Sequence, residues 1–160
     1  MKRYLVIALT AVTMALGFPS AAFAQSGHFV TGGANAPICT DIGLQVTCTG
    51  KVAGLGGTTF EITITAPGVA TVECHNPAGH VAPGQDTAVT VSGTTGPLPT
   101  PRNGQFVFSL TTDSPAPLPP TPTCPNVMWT PEITDVAFTD ATLTLLEDNV
   151  ESDQIVVPVT

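Results

Sequence analysis

At 160 residues the chain is long enough for one domain with its own core. Only 10% of the residues are charged, and twelve acids against four bases give a net charge of −8 at pH 7. A surface of that sign repels nucleic acid and anionic lipid, which excludes both as expected partners.

The chain begins MKRYLVIALTAVTMALGFPSAAFA. Lys2 and Arg3 form a basic start, Tyr4 to about Gly17 an apolar core, and Ala22-Phe23-Ala24 an A-x-A cleavage site. This is the pattern of a secretory signal peptide over 1–24. The competing reading is a retained anchor, but a bilayer span needs about 20 apolar residues, and this run is shorter and is followed by Gly17 and Pro19. Cleavage after Ala24 leaves 25–160 as a single domain, in which Lys51 and Arg102 face all twelve acids for a net charge of −10. The expected location is secreted, extracellular or at the cell surface, with no membrane span after cleavage.

Four cysteines in such a chain read as two disulfides, with three pairings open. Residues 39–48 suit a hairpin centred on Gly43-Leu44, which sets Cys39 opposite Cys48, within disulfide range. Cys74 then pairs with Cys124. On the chain-entropy model the short loop contributes roughly 2.7 kcal/mol and the long one roughly 4 kcal/mol. No C-x-x-C spacing favours metal-bound thiols instead.

Period-two alternation runs through the rest of the chain. Leu44, Val46 and Cys48 share one face; then come Phe60, Ile62 and Ile64; Ala70, Val72 and Cys74; and Val89 and Val91. Phe106, Phe108 and Leu110 follow, then Leu143 and Leu145, then Ile155, Val157 and Val159. Each run buries one face and wets the other. Turn signals at 54–57, Pro67-Gly68, Pro83-Gly84 and Asn103-Gly104 separate the runs. No segment of 25–160 keeps a helical period. The pattern predicts an all-β, antiparallel, immunoglobulin-like β-sandwich of about eight or nine strands. The immunoglobulin sequence signature itself is missing, because the only tryptophan, Trp129, follows the last cysteine. The proline-dense stretches 97–101 and 114–125 read as stiff, ordered loops.

Four features could carry chemistry. The stretch CHNPAGHVAPGQ, residues 74–85, reads as a long polar loop leading to the strand near Val89. His75 and His80 within it form a candidate metal pair with Asp86 or His28 as a third ligand, although two imidazoles alone bind metal weakly. No G-x-S-x-G elbow or other nucleophile motif occurs, so no catalytic residues are assigned. The cluster LEDNVESD, with Glu147, Asp148, Glu151 and Asp153, offers oxygens that suit calcium, but lacks a calcium-loop spacing and reads as a solvated loop. Trp129 is either a stacking platform for a sugar ring or a core residue, and its neighbours Val127, Ile133, Val136 and Phe138 favour burial. At the C-terminus Pro158 cannot donate to a sheet ladder, which predicts an edge strand completing its own sandwich.

The run Cys39-x8-CTGKVAGLGG, then CHNPAGHVAPGQ, then a late Cys-Pro-Asn followed closely by Trp129, resembles small secreted bacterial proteins of uncharacterised function. The resemblance covers most of 36–138, and its most specific part is C-x-N-P-x-G-x-x-A-P-G-Q. It implies a disulfide-bearing secreted β domain and brings no catalytic residues. Positions 78 and 80 are glycine and asparagine in those proteins and Ala78 and His80 here, which weakens a metal role for His80. Together these readings predict a secreted, non-enzymatic structural or binding module without a cofactor. It would act as a monomer on a protein or other component of the cell envelope. The alternative is a small extracellular protein that binds metal or carbohydrate.

Overall fold

The computed structural model describes residues 26–160, so the leader assigned to 1–24 lies outside the described residues. Its strands are β1 (His28–Phe29), β2 (Ile38–Asp41), β3 (Val46–Ala53), β4 (Thr59–His75), β5 (Val81–Pro83), β6 (Thr87–Thr94), β7 (Leu98–Pro99), β8 (Phe106–Thr111), β9 (Thr130–Phe138), β10 (Asp140–Glu147) and β11 (Val150–Pro158). All strand pairs in the two sheets are antiparallel, which makes the fold an all-β sandwich as the alternation predicts. The count exceeds eight or nine because β1, β5 and β7 are only two or three residues long, too short to show a period.

The seven-stranded sheet is built on β4. One side of β4 pairs with β10 from Phe60 to Thr65 and with β9 from Gly68 to His75. The other side pairs with β7, β6 and β5 in turn. The smaller sheet is built on β3, with β8 along one side and β1 and β2 along the other. Phe60, Ile62, Ile64, Ala66, Ala70 and Val72 point inward from β4 and meet Val46, Cys48 and Val52 of β3 in one core. Phe29 packs edge-on against Phe108, with ring centroids 5.9 Å apart.

Pro67-Gly68 does not form the turn its composition predicts. The pair lies inside β4, which runs unbroken through 17 residues. Two local circumstances make this possible. Pro67 falls where β4 has lost β10 as a partner after Thr65 and not yet gained β9 at Gly68. Gly68 occupies an inward position, and a Cβ there would stand 2.6 Å from Val136 Cγ1 and 2.8 Å from Phe138 Cδ1. The missing side chain is the space those two residues fill.

Strand β11 lies at the sheet edge, as Pro158 predicts, and pairs with β10 along its whole length. Beyond it the chain crosses to the other sheet. Thr160 N donates to Cys39 O at 3.1 Å, and Asp41 N donates to Thr160 O at 3.0 Å. The last residues therefore fasten the two sheets together along one side.

Gly68→Ala should cost about 1–3 kcal/mol, as expected for overfilling a packed core. Urea unfolding checks this; a neutral result would mean that Val136 and Phe138 do not fill the space as described.

Candidate functional site

The two disulfides are Cys39–Cys48 and Cys74–Cys124, the pairings that strand placement predicts. Cys39 and Cys48 sit directly opposite each other on β2 and β3. All four cysteines are buried.

The stretch 74–85 is a hairpin, not one long loop. His75 still belongs to β4, and Val81–Pro83 returns beside it as β5. The turn is organised by Asn76, whose Oδ1 accepts the N–H groups of Ala78 and His80 at 3.0 and 2.9 Å. Gly79 takes the positive φ of 81° that the turn requires. Further along, Gly84 N donates to Val72 O at 2.8 Å and Gln85 N to Thr123 O at 2.9 Å. A Cβ on Gly84 would stand 3.0 Å from Val72 and 3.1 Å from Cys74 Sγ. The A-P-G-Q end of this stretch and the Cys-Pro-Asn segment thus enclose the Cys74–Cys124 bridge. A hollow of about 220 Å³ remains between them, lined by Pro83, Gln85, Pro122 and Pro125 among others.

The candidate metal ligands do not converge. His75 Nε2 lies 3.2 Å from Glu132 Oε2 on neighbouring β9 and 3.9 Å from Glu73 Oε2, an electrostatic contact without hydrogen-bond geometry. His80 and Asp86 are exposed, and His28 Nδ1 sits 3.0 Å from Ser26 O. Among the described residues no three His, Cys, Asp or Glu side chains group so as to hold a metal ion.

Trp129 is not a core residue. It is half-buried and follows Val127 and Met128, which are 71% and 66% exposed. A turn fixes this short apolar segment: Asn126 Oδ1 accepts Met128 N at 2.9 Å, and Asn126 O accepts Trp129 N at 3.2 Å. Burial resumes only once β9 begins, with Ile133 partly buried and Val136 and Phe138 inside.

The acidic cluster departs most from expectation. It is not a solvated loop: Glu147 is fully buried at the end of β10. Its Oε2 accepts Gly27 N at 2.8 Å, and its Oε1 accepts Gly56 N at 2.7 Å and Gly57 N at 3.1 Å. Asp148 and Asn149 then take φ values of 49° and 67°, the paired positive angles of a tight two-residue hairpin turn into β11. Asp148 reaches back to cap the start of β4. Its Oδ1 accepts Thr58 Oγ1 at 2.6 Å, Thr58 N at 3.0 Å and Thr59 N at 2.9 Å. The Thr58 hydroxyl, then the Thr59 and Thr58 amides, hold the Asp148 carboxyl from its ordinary 3.8 down to about 2. Asp153 is likewise engaged, accepting Phe29 N at 2.8 Å. The sequence does carry a signal for this arrangement in Gly56-Gly57. A Cβ on Gly57 would stand 2.8 Å from Asp148 Oδ2, and one on Gly27 would stand 2.7 Å from Glu147 Oε2.

Two surface features complete the inventory. A groove of about 410 Å³ runs between Ala36-Pro37 and Ile155–Pro158 on β11. On the outer face of the larger sheet, Thr63, Thr65, Ser92 and Thr94 line a shallow hollow between Glu61 and Asp113. No protein-family model matches this chain, and no curated protein or solved structure is significantly similar to it.

The depressed Asp148 pKa sets a sign and a window for pH dependence. The stabilisation is present above the unfolded value near 3.8 and is lost as pH falls toward about 2. Wild type should therefore exceed Asp148→Asn in stability at pH 5, and the gap should close through that window. A gap that stays constant down to pH 2 would contradict the capping role.

Proposed function

We propose that the protein is a secreted, non-enzymatic structural or binding module that acts through its surface on a protein or other component of the cell envelope. One observation carries this reading. In the acidic cluster, the feature whose oxygens best suit a metal, three of the four carboxylates are held by the protein's own backbone: Glu147 by Gly27, Gly56 and Gly57, Asp148 by Thr58 and Thr59, and Asp153 by Phe29. Groups held this way stiffen a frame and are not available to substrate. The two disulfides fit an oxidising compartment, in line with the leader pattern of 1–24. The resemblance of residues 36–138 to small secreted bacterial β proteins supports the same placement.

The hairpin at 74–85 takes an architectural role here. Its asparagine, prolines and glycines shape the chain around the Cys74–Cys124 bridge. The surface it leaves free includes the exposed Val127-Met128 turn and the outer sheet faces rich in threonine.

The test is binding of the folded, oxidised protein to intact cells of the producing organism. Saturable binding that is lost when the disulfides are reduced and the chain unfolds is the expected result. Absence of binding would contradict a surface-acting module. A stoichiometric metal in the native mass spectrum would favour the metal-binding alternative.

A further inference from the structure

We infer that residues 114–119 are a polyproline II ligand, presented to an aromatic-lined groove on a partner protein of the cell envelope, a reading that rests on the protein acting through its surface. Residues 112–119 follow β8 and belong to no strand. Pro115, Pro117 and Pro119 have no N–H to give to a sheet. Burial along the stretch instead has a period of three. Pro115 and Leu118 are half-buried, and Leu118 packs against the core. Ser114, Ala116, Pro117 and Pro119 are exposed. A polyproline II helix has three residues per turn, so the ridge of 115 and 118 lies on the body. The other two ridges, Ser114 with Pro117 and Ala116 with Pro119, face solvent. Pro119 takes φ −69° and ψ 148°, the angles of that helix.

Both ends of the stretch are fixed. Asp113 N donates to Ser92 O of β6 at 2.7 Å, and Thr123 O accepts Gln85 N at 2.9 Å, just before β6 begins. The Cys74–Cys124 bridge anchors the next residue. The chain therefore runs back beside β6 and is held extended before any partner arrives. A free peptide loses conformational freedom when it binds; this segment has lost it on folding. Grooves that read a polyproline II helix are lined with aromatic rings and take exposed proline rings between them. The charge at one end adds a second requirement. Asp113 and Glu61 line one hollow there, so the matching groove carries a basic rim on that side.

The experiment measures binding of the folded, oxidised protein to intact cells of the producing organism, for wild type and two variants. Pro117→Ala with Pro119→Ala removes both outward rings. Ala116→Lys keeps every proline and sets a long charged chain on an outward ridge. Urea midpoints and disulfide maps establish that each variant is folded. Both should bind at least about tenfold more weakly than wild type. An excess of free oligoproline should compete with wild type, and a glycine-serine peptide of equal length should not. Unchanged binding of the variants would overturn the ligand while leaving the surface-acting reading intact. Loss in only one of the two would overturn it as well, because a loosened segment or a misplaced charge then accounts for the loss. Failure of oligoproline to compete would overturn the aromatic groove. Absence of wild-type binding would overturn the surface-acting reading, and the ligand with it.

Discussion

A buried carboxylate is the constraint around which this sandwich is arranged. Glu147 sits at the inward end of β10 with no access to solvent. A carboxylate taken out of water must recover its lost hydration from hydrogen-bond donors. It does so with backbone N–H groups from two distant segments, the arm at Gly27 and the β3–β4 connection at Gly56-Gly57. Those segments in turn have no strand partners for these amides, and the buried Gly27 donor left unmet would cost about 1–3 kcal/mol. Acceptor and donors require one another. Asp148 adds the start of β4 to the same knot through Thr58 and Thr59. One dipeptide therefore fixes how two separate stretches, the arm and residues 56–59, enter the two sheets.

The opposite end of the sandwich is held by different means. There the Cys74–Cys124 bridge joins the end of β4 to the proline-dense segment before β9, and Gln85 N bonds to Thr123 O beside it. The C-terminal Thr160 links β11 to β2. The molecule is thus fastened by a carboxylate knot at one end and covalently at the other.

Much of this was legible in residue parity. Even positions from Phe60 to Cys74 keep one phase through Ala66 and Ala70, and a turn at Pro67-Gly68 would rarely preserve it. The turn composition of that dipeptide obscured the continuity; parity, not composition, marked the long strand. The same rule applies to β10. Ala141, Leu143, Leu145 and Glu147 are all in phase and all buried, so the alternation itself pointed Glu147 inward. Its charge suggested a solvated loop because charges are rarely buried without partners, and the partners here are glycine amides that leave no hydropathy signal. Trp129 failed for the converse reason: apolar neighbours suggested burial, but it precedes the strand whose alternation carries those neighbours inside. The metal pairing of His75 with His80 and Asp86 could not be judged from spacing, because the short strand β5 separates the last two.

The central claim concerns three amides, and hydrogen exchange of the folded protein reads them directly. Gly27, Gly56 and Gly57 lie outside every strand, and Gly56 is exposed. Without the Glu147 carboxylate their N–H groups would exchange at open-chain rates. The account predicts that all three are protected in the wild-type protein and lose that protection together in Glu147→Ala, which leaves no side-chain acceptor. Exchange of Gly56 and Gly57 at open-chain rates while the β4 amides remain protected would show that the knot does not hold the fold.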